Sequence, residues 1–268
     1  MSVRKAARTS NNTTQAAHKV IRLLNCFTSS AAASLGVTEL SAMTGWTSSS
    51  VSRLLSALEA GGLVQRDDVS GRYLLGLQLV ALAGAALAQR TLYTVSHPHL
   101  LQLAAASGET TNLCVLDSMQ VLTIDEALGT QPIKVSGWMG VRHPLHATAA
   151  GKVLLAALPE ERRDVILATG LPALTPQTII NRERLLRELE QVNAIGYALT
   201  VEELAIGLTV LAAPLRDFTG AVVAAITIGG PSFRITGRHL EDCITLIKAE
   251  AAAIAGELGS RLPALTPT

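Results

Sequence analysis

The sequence predicts a two-domain α/β (α+β) protein, with an N-terminal winged helix-turn-helix, a linker helix, and a C-terminal mixed sheet flanked by helices. Three observations support this prediction. The chain has 268 residues, of which 49% are hydrophobic, enough for two modest cores. Three helical patterns precede a hairpin signal within residues 1–76. Strand and helix patterns alternate after residue 93.

The first part of the chain contains the three helical patterns. Residues 1–14 are polar and basic without periodicity, which predicts a flexible arm. Apolar residues recur at helical spacing over residues 15–27, which predicts a first helix. A second short helix is predicted from the cap residue Thr38 to Gly45, and a third follows the N-cap Thr47.

Two short apolar runs complete the first domain. Residues 63–66 and 72–75 flank a turn that contains Gly71, which is the pattern of a β-hairpin. Three helices followed by a hairpin, with a short glycine-bearing turn between the second and third helix, are typical of a winged helix-turn-helix. The sequence therefore predicts this DNA-binding fold over residues 15–76.

Residues 77–92 are predicted to form a linker helix. Its first part, residues 77–88, is apolar around most of the helix circumference, so the helix needs a surface to pack against. We expect that surface to be the same helix of a second chain, with Leu79, Leu82 and Ala86 in the contact. A homodimer also suits duplex DNA, on which it would span two half-sites.

Residues 93–268 form the predicted second domain. Helices are predicted over residues 98–107, 145–158, 160–168, 182–195 and 238–259. Strands are predicted over residues 110–116, 120–126, 197–201, 209–214 and 222–228. This order predicts a sheet with helices on its faces.

The third helix and the hairpin hold the candidate DNA contacts. Small hydroxyl side chains and one arginine lie away from the apolar stripe of the third helix, where they can approach phosphates and base edges. Two further arginines flank the hairpin turn and can reach a phosphate or the minor groove. The candidate DNA-binding residues are Thr47, Ser48, Ser49, Ser50, Ser52, Arg53, Arg66 and Arg72. The serines are equally consistent with helix capping, and the arginines with solvated surface positions.

Charge is divided unevenly along the chain. The net charge is only +1, yet residues 1–76 carry +4 and the remaining residues carry −3. This difference favours a polyanion contact confined to the first domain. The whole chain contains two Trp, three Tyr and three Phe residues, too few for a platform that stacks single strands. Double-stranded DNA is therefore the expected partner.

The sequence predicts neither a metal site nor another cofactor. Cys26, Cys114 and Cys243 lie far apart and form no CxxC pair, which favours a reduced, cytoplasmic protein. The histidine pairs that flank Pro98 and Pro144 lack an accompanying cysteine or acidic cluster, so solvent-facing or loop-bracing roles are favoured over metal ligation. No stretch approaches the ~20 apolar residues that span a bilayer, so no membrane contact is predicted.

Catalysis is not predicted either. The sequence contains no GxSxG or HExxH motif, and Gly151-Lys152 lacks the preceding glycine and the following Ser or Thr of a phosphate-binding loop. The alternative is a small-molecule-modifying enzyme with an appended winged-helix module. A third possibility, a winged helix that binds protein instead of DNA, is disfavoured by the N-terminal charge excess.

Longer motifs carry a family resemblance. The first domain contains AAHKVIRLLNCF and TELSAMTGWTSSSVSRLLSALEAGGLVQRD, and the second contains GET, RHPLHATAAGKVLLA, EELAIGLTVLAAPLRD and GGPSFRIT. In order and spacing these motifs resemble the IclR family of bacterial transcription regulators over nearly the whole chain. The resemblance implies a GAF-like ligand-sensing domain, dimers that often pair into tetramers, and operator binding modulated by a small organic effector.

The chain departs from the family pattern at several positions. The third helix begins Thr47-Ser48-Ser49-Ser50 where the family usually has Pro-Lys-Ser-Thr, which suggests a changed or weaker base code. In the sensor domain, Thr200 replaces a frequent Asp, Val210 replaces a Cys found in some members, and Asn193 replaces a frequent Arg.

An effector pocket is expected around the run that begins at His146. Small residues at a helix start leave backbone N–H groups accessible, and the helix dipole favours an anion there. With the walls that the resemblance implies, the candidate effector-binding residues are Trp138, Met139, Ala149, Ala150, Gly151, Thr200, Leu208, Val210, Thr227 and Gly229. Close helix packing also favours small residues, and Trp138 is equally consistent with a core position. Uncharged walls beside an anion-attracting helix start suit an aromatic or branched organic acid.

Overall fold

The structure, a computed structural model, describes residues 3–30, 32–88 and 91–260 of the chain. The chain divides into two compact units, Met1–Gln89 and Arg90–Thr268. Within the described ranges, no helix is long and apolar enough to cross a membrane.

The first unit is a three-helix domain with a β-hairpin. Its elements are α1 (Val3–Ser29), α2 (Val37–Thr44), α3 (Ser48–Ala60), β1 (Val64–Arg66), β2 (Tyr73–Leu75) and α4 (Gln78–Ala88). The two strands pair antiparallel. Apolar side chains from the three helices and the hairpin pack into one core, which includes Leu23, Leu40, Leu55, Val64 and Tyr73. The winged helix-turn-helix prediction is therefore confirmed.

Two helix starts in this unit differ from the prediction. We expected an arm over residues 1–14, but helical backbone begins at Val3, because α1 contains neither Gly nor Pro to stop a helix that extends from its packed C-terminal half. Residues 1 and 2 lie outside the described ranges. Helix α2 starts at Val37 instead of Thr38, since the carboxylate of Glu39 accepts a hydrogen bond from the N–H of Gly36 at 2.7 Å and closes the first turn.

The second unit is built on one sheet. Its elements are α5 (Thr91–Ser107), β3 (Thr110–Asp117), β4 (Gln120–Ala127), β5 (Arg142–Pro144), α6 (Ala149–Ala156), α7 (Glu160–Leu167), α8 (Arg182–Ile195), β6 (Ala198–Val201), β7 (Leu208–Arg216), β8 (Val222–Pro231) and α9 (Gly237–Ser260). The six strands pair antiparallel in the order β5-β4-β3-β8-β7-β6.

Helices cover both faces of this sheet. Val210 and Ala212 of β7 pack in the core that contains α6 and α8. On β3, Thr111 points to the other face, where its hydroxyl donates to the carbonyl of Leu100 in α5 at 2.9 Å. Helices α5 and α9 contact each other on that face. The predicted sheet with helices on its faces is therefore confirmed.

Helix α5 begins earlier than predicted. We expected it at Pro98, but it begins at Thr91 and contains Pro98 in its interior. Because proline has no N–H, the carbonyl of Thr94 lacks its usual helical partner at residue 98. Both residues are exposed, so water can bind that carbonyl instead. The last two residues of the predicted linker helix, Thr91 and Leu92, thus belong to α5, and residues 89 and 90 lie outside the described ranges.

The region around residue 145 also differs from the prediction. We expected one helix over residues 145–158, whereas β5 precedes a shorter helix, α6. The hydroxyl of Thr148 accepts the N–H of Gly151 at 3.1 Å and caps that helix. Strand β5 has only three residues and includes a proline, so it carries no alternating pattern that predicts a strand.

Candidate DNA interface and effector pocket

The start of α3 combines capping with exposure. Thr47 is the N-cap, and its hydroxyl accepts the N–H of Ser50 at 3.4 Å and lies 3.0 Å from the Ser50 hydroxyl. The hydroxyl of Ser48 accepts a hydrogen bond from the hydroxyl of Ser41 at 3.3 Å. The hydroxyl of Ser49 lies 3.2 Å from the hydroxyl of Thr47. The observed contacts of these hydroxyls are therefore those of a capped helix start. The side chains of Thr47, Ser48 and Ser49 are nevertheless exposed, so they remain accessible to DNA.

Arg53 lies on the exposed side of α3. The buried side of the helix consists of Val51, Leu55 and Leu58. Among the described residues, Arg53 has no side-chain hydrogen bond or ion pair. With Lys19 of α1 it lines a cleft of about 110 Å³ between the two helices. An unneutralised guanidinium at this position can contact DNA.

Two cations of α1 lie beside the same helix start and were not among the sequence candidates. The ammonium of Lys19 and the guanidinium of Arg22 lie 5.8 and 5.4 Å from the centroid of the Trp46 ring. Trp46 directly precedes the N-cap Thr47. The three-residue spacing of these cations, which places them on one face of α1, is the sequence signal that would have found them.

The two hairpin arginines have different surroundings. The guanidinium of Arg72 donates to the Ser34 carbonyl and to the Glu39 carboxylate, each at 2.7 Å. The N–H of Gly36 and the bond from Arg72 hold the pKa of Glu39 below its usual range. Arg72 thus braces the hairpin against the start of α2, which does not favour a DNA contact. Arg66 is exposed and, within the described ranges, has no side-chain partner.

The expected pocket lies on the α6 side of the sheet. Six of the predicted residues line a cavity there: Trp138, Ala149, Ala150, Thr200, Val210 and Thr227. Six further lining residues were not predicted: Cys114, Val121, Thr123, His143, Thr148 and Leu204. The cavity volume is about 20 Å³, which is room for about one water molecule. An organic acid would therefore need the wall to open.

Four predicted residues do not line this cavity. The side chain of Met139 is 49% exposed, and Leu208 is buried outside the cavity wall. Gly151 is packed so closely that a Cβ would collide with the backbone of Leu145, so the packing alternative is correct at this position. Gly229 borders the site, because a Cβ there would lie 3.6 Å from the side chain of Val210.

The helix start supplies free hydrogen-bond donors. Within the described ranges, the N–H groups of Ala149 and Ala150, at the first two positions of α6, have no acceptor. The next N–H, that of Gly151, is capped by Thr148. Two adjacent N–H groups at the positive end of a helix dipole can bind a carboxylate.

A loop over residues 128–141 forms one wall. The carboxylate of Glu126 accepts the N–H groups of Gly137 at 3.1 Å and of Trp138 at 2.9 Å. The Trp138 ring meets the His143 ring edge-on, with centroids 5.4 Å apart. Glu126 thus fixes the backbone that places Trp138 against the cavity.

The titratable groups of the cavity wall are uncharged near neutral pH. Burial lowers the pKa of His143 below its usual value, which favours the neutral imidazole. Burial also raises the pKa of the Cys114 thiol to about 12. The uncharged, largely apolar walls that we expected are therefore present.

A buried ion cluster anchors α6 behind the cavity. Lys152 is fully buried, and its ammonium donates to Glu203 at 2.5 Å and to Glu188 of α8. Burial raises the pKa of Glu203, an effect that Lys152 opposes. Glu203 is therefore a buried carboxylate paired with Lys152, although it follows the end of β6 at the edge of the sheet. This cluster fixes the turn that carries Leu204.

The histidines brace secondary structure. On α5, His97 bonds Asp125 at 2.8 Å, and His99 bonds Glu250 of α9 at 2.6 Å. His146 bonds the carbonyl of Pro172 at 3.0 Å. These contacts correspond to the bracing alternative of the prediction, while the His97 side chain also remains 40% exposed. In the described part of the chain, no group of three His, Cys, Asp or Glu side chains is placed to hold a metal ion.

A winged helix-turn-helix followed by a sheet domain with a cavity at a helix start defines a class: DNA-binding regulators that sense small molecules. The sequence matches the family models described as the IclR helix-turn-helix domain, over residues 16–68, and the bacterial transcriptional regulator IclR C-terminal domain, over residues 84–256. The chain belongs to the IclR family of bacterial transcriptional regulators.

Relatives and solved structures agree with this assignment. The chain is 35% identical over 208 residues to the HTH-type transcriptional repressor AllR of Escherichia coli K12, covering 77% of each chain. An IclR regulator of Alicyclobacillus acidocaldarius superposes with a TM-score of 0.84 at 26% identity, over 91% of this chain and 99% of that one. An IclR homologue of Microbacterium hydrocarbonoxydans in complex with 4-hydroxybenzoate superposes with a TM-score of 0.80 at 25% identity, over 91% and 98%.

Proposed function

We propose that this regulator binds operator DNA through α3 and the hairpin, and that an aromatic organic acid in the C-terminal cavity changes that binding. The observation that carries the proposal is the pair of free N–H groups at Ala149 and Ala150, two residues that line a cavity with uncharged walls. The N–H groups bind the carboxylate, and the apolar body of the acid lies against Val210 and Trp138.

The size of the acid follows from the wall chemistry. An aromatic ring buries apolar surface that an acid of two carbons leaves uncovered, at roughly 25 cal/mol per Å². The 4-hydroxybenzoate bound by the homologue from Microbacterium hydrocarbonoxydans supports this class of ligand. Entry requires part of the wall to move, because the cavity holds only about 20 Å³.

For DNA contact we propose Arg53, Arg66 and the exposed hydroxyls of α3, with Lys19 and Arg22 of α1 beside them. Arg72 is assigned to bracing the hairpin. Lys19, Arg22 and Arg53 would contact phosphates of the duplex, which neutralise their charge, or hydrogen-bond acceptors on the base edges.

We further propose that the protein acts as a homodimer and that two such dimers pair into a homotetramer, as dimers of this family often do. Helix α4 supports this assembly, because its apolar side chains Val80 and Leu82 are 67% and 53% exposed. A second copy of the chain would bury them. The site chemistry favours a sensor over an enzyme, and a regulator of operator DNA would act in the cytoplasm.

The experiment that tests the effector proposal is calorimetric titration of the full chain with benzoate and with glyoxylate. We expect benzoate to bind more tightly, because it covers the apolar walls. Tighter binding of glyoxylate would refute the aromatic pocket while leaving the family assignment in place.

A further inference from the structure

Two polar side-chain atoms near the cavity are buried without a hydrogen-bond partner among the described residues. They are Nε2 of His143 and Oδ1 of Asn112. His143 lines the cavity. Asn112 is 1% exposed, and its amide donates to the hydroxyl of Thr227, a lining residue, at 3.3 Å. A buried polar atom that stays unpaired is unfavourable, so each of these atoms requires a water molecule or a ligand group as its partner.

The other side-chain hydroxyls of the wall are already engaged. The hydroxyl of Thr200 donates to the carbonyl of Val210 at 3.4 Å, and that of Thr148 donates to the carbonyl of Pro144 at 3.1 Å. The hydroxyl of Thr123 lies 3.7 Å from the Cys114 sulfur. The uncommitted groups of the wall are therefore the N–H groups at the start of α6 and the imidazole of His143.

The orientation of His143 is set before a ligand binds. His143 is the central residue of β5 and pairs in register with Val121 of β4. On its other side, the Trp138 ring packs edge-on against the imidazole. A polar group held between a strand and an aromatic ring can select a ligand without first ordering its own side chain.

The chemistry of these two atoms calls for a hydroxyl group. A neutral imidazole nitrogen is a donor in one tautomer and an acceptor in the other, and a hydroxyl group satisfies either. The Oδ1 of Asn112 is an acceptor only, so a carboxylate cannot pair with it, whereas a hydroxyl can. The N–H groups of Ala149 and Ala150 accommodate the carboxylate of the ligand. A hydroxyl group elsewhere on the ligand would then pair with His143 or Asn112.

We propose that His143 is the specificity-determining residue of this pocket and that it selects a hydroxylated organic acid through a hydrogen bond between Nε2 and the ligand hydroxyl. This inference rests on the proposed function of the pocket as an acid-binding site. It adds a second polar group to the ligand and assigns a residue to it.

The test is calorimetric titration of the full chain with matched pairs of acids that differ by one hydroxyl. The pairs are benzoate with 4-hydroxybenzoate, phenylacetate with 4-hydroxyphenylacetate, and acetate with glycolate. In at least one pair we expect the hydroxylated acid to bind about 5- to 100-fold more tightly.

The decisive variant is His143→Phe, which keeps a ring against Trp138 and removes both nitrogens. We expect this variant to lose the preference for the hydroxylated acid and to keep its affinity for the unsubstituted partner. His143→Gln, which retains a donor and an acceptor, should recover part of the preference. His18→Phe, on the exposed surface of α1, is the matched control and should leave the preference unchanged.

Several outcomes overturn the inference. One is a hydroxyl preference that survives in His143→Phe, and another is equal or weaker binding of every hydroxylated acid by the wild type. In both cases acid binding stands, so the proposed function survives. If no acid of the panel binds, the effector proposal fails together with this inference. If His143→Phe does not fold, as judged by circular dichroism, His143→Leu takes its place.

Discussion

The ammonium group of Lys152 is fully buried in the C-terminal unit. Lys152 lies on α6 and donates to carboxylates from α8 and from the turn after β6. Removing only one partner of such a cluster leaves charge buried without compensation. The ion cluster thus adds to the apolar packing that holds α6 against the sheet.

We predict that Lys152→Met destabilises the protein by about 3–5 kcal/mol, because Glu203 would remain buried beside Glu188 without a cation. The measurement is chemical denaturation of the full chain, followed by circular dichroism. Lys248→Met, an exposed lysine of α9, is the matched control and should change little. A loss below about 1 kcal/mol in Lys152→Met would show that the cluster is not structurally essential.

Arg53 is the side chain on which the DNA interface depends most directly. We predict that Arg53→Ala weakens operator binding by about 1–3 kcal/mol and leaves the oligomeric state unchanged. Fluorescence anisotropy with a labelled duplex measures the operator affinity, and sedimentation measures the oligomeric state. Arg216→Ala, an exposed arginine on β7, controls for the loss of one positive charge. Unchanged operator affinity in a folded Arg53→Ala protein would remove this residue from the interface.

At the scale of secondary structure, patterns with strong local signals were predictable. Helix α8 begins and ends where expected, because Asn181 caps its start and Gly196, with a φ of 80°, ends it in the left-handed region. Strand β5 was not predictable, since its three residues are extended only by pairing with residues 120–122 of β4. The early start of α5 was missed because Pro98 is usually read as a helix boundary.

Helix α4 supports a prediction about assembly. Its exposed apolar side chains need a partner, so Leu82→Glu should place an unpaired carboxylate in an apolar contact and weaken the dimer by several kcal/mol. Sedimentation equilibrium measures the dissociation. Ile206→Glu, at an exposed site that is 75% accessible, is the control and should leave the oligomer intact. An unchanged oligomer in Leu82→Glu would show that α4 does not form the contact.

The contact between α5 and α9 supports a prediction about pH. Burial lowers the pKa of His99, but its bonds to Glu250 and Glu257 outweigh this effect, so the pKa is raised above that of an ordinary histidine. Because the pKa of His99 is higher in the folded than in the unfolded state, protonation of His99 stabilises the fold at pH values below its unfolded-state pKa. This contribution is lost as the pH rises through the folded-state pKa.

We therefore predict that the difference in free energy of unfolding between the wild type and His99→Gln is largest at about pH 6 and shrinks as the pH rises. Chemical denaturation across the pH range measures it, with His18→Gln on the exposed face of α1 as the control. A difference that grows with pH would contradict the assigned sign.

For the whole molecule, the order of the two folds and the helix start beside which the cavity lies were predictable from motifs. The small residues at Ala149 and Ala150 were found because a helix start with accessible N–H groups has a recognisable composition. His143 was missed, since its position in the wall depends on β5. The small volume of the cavity was not predictable either, because it depends on how the residues of several separate elements pack around it.

The most direct test of the account is fluorescence anisotropy of the full chain with duplex DNA from the region flanking its own gene. A scrambled duplex of the same composition is the control, each is titrated across about 50–200 mM salt, and 4-hydroxybenzoate is present or absent. The account predicts binding to the flanking duplex at least about 10³-fold tighter than to the scrambled one, weakening with salt and shifted by the acid. Equal affinity for both duplexes, with and without the acid, would contradict it.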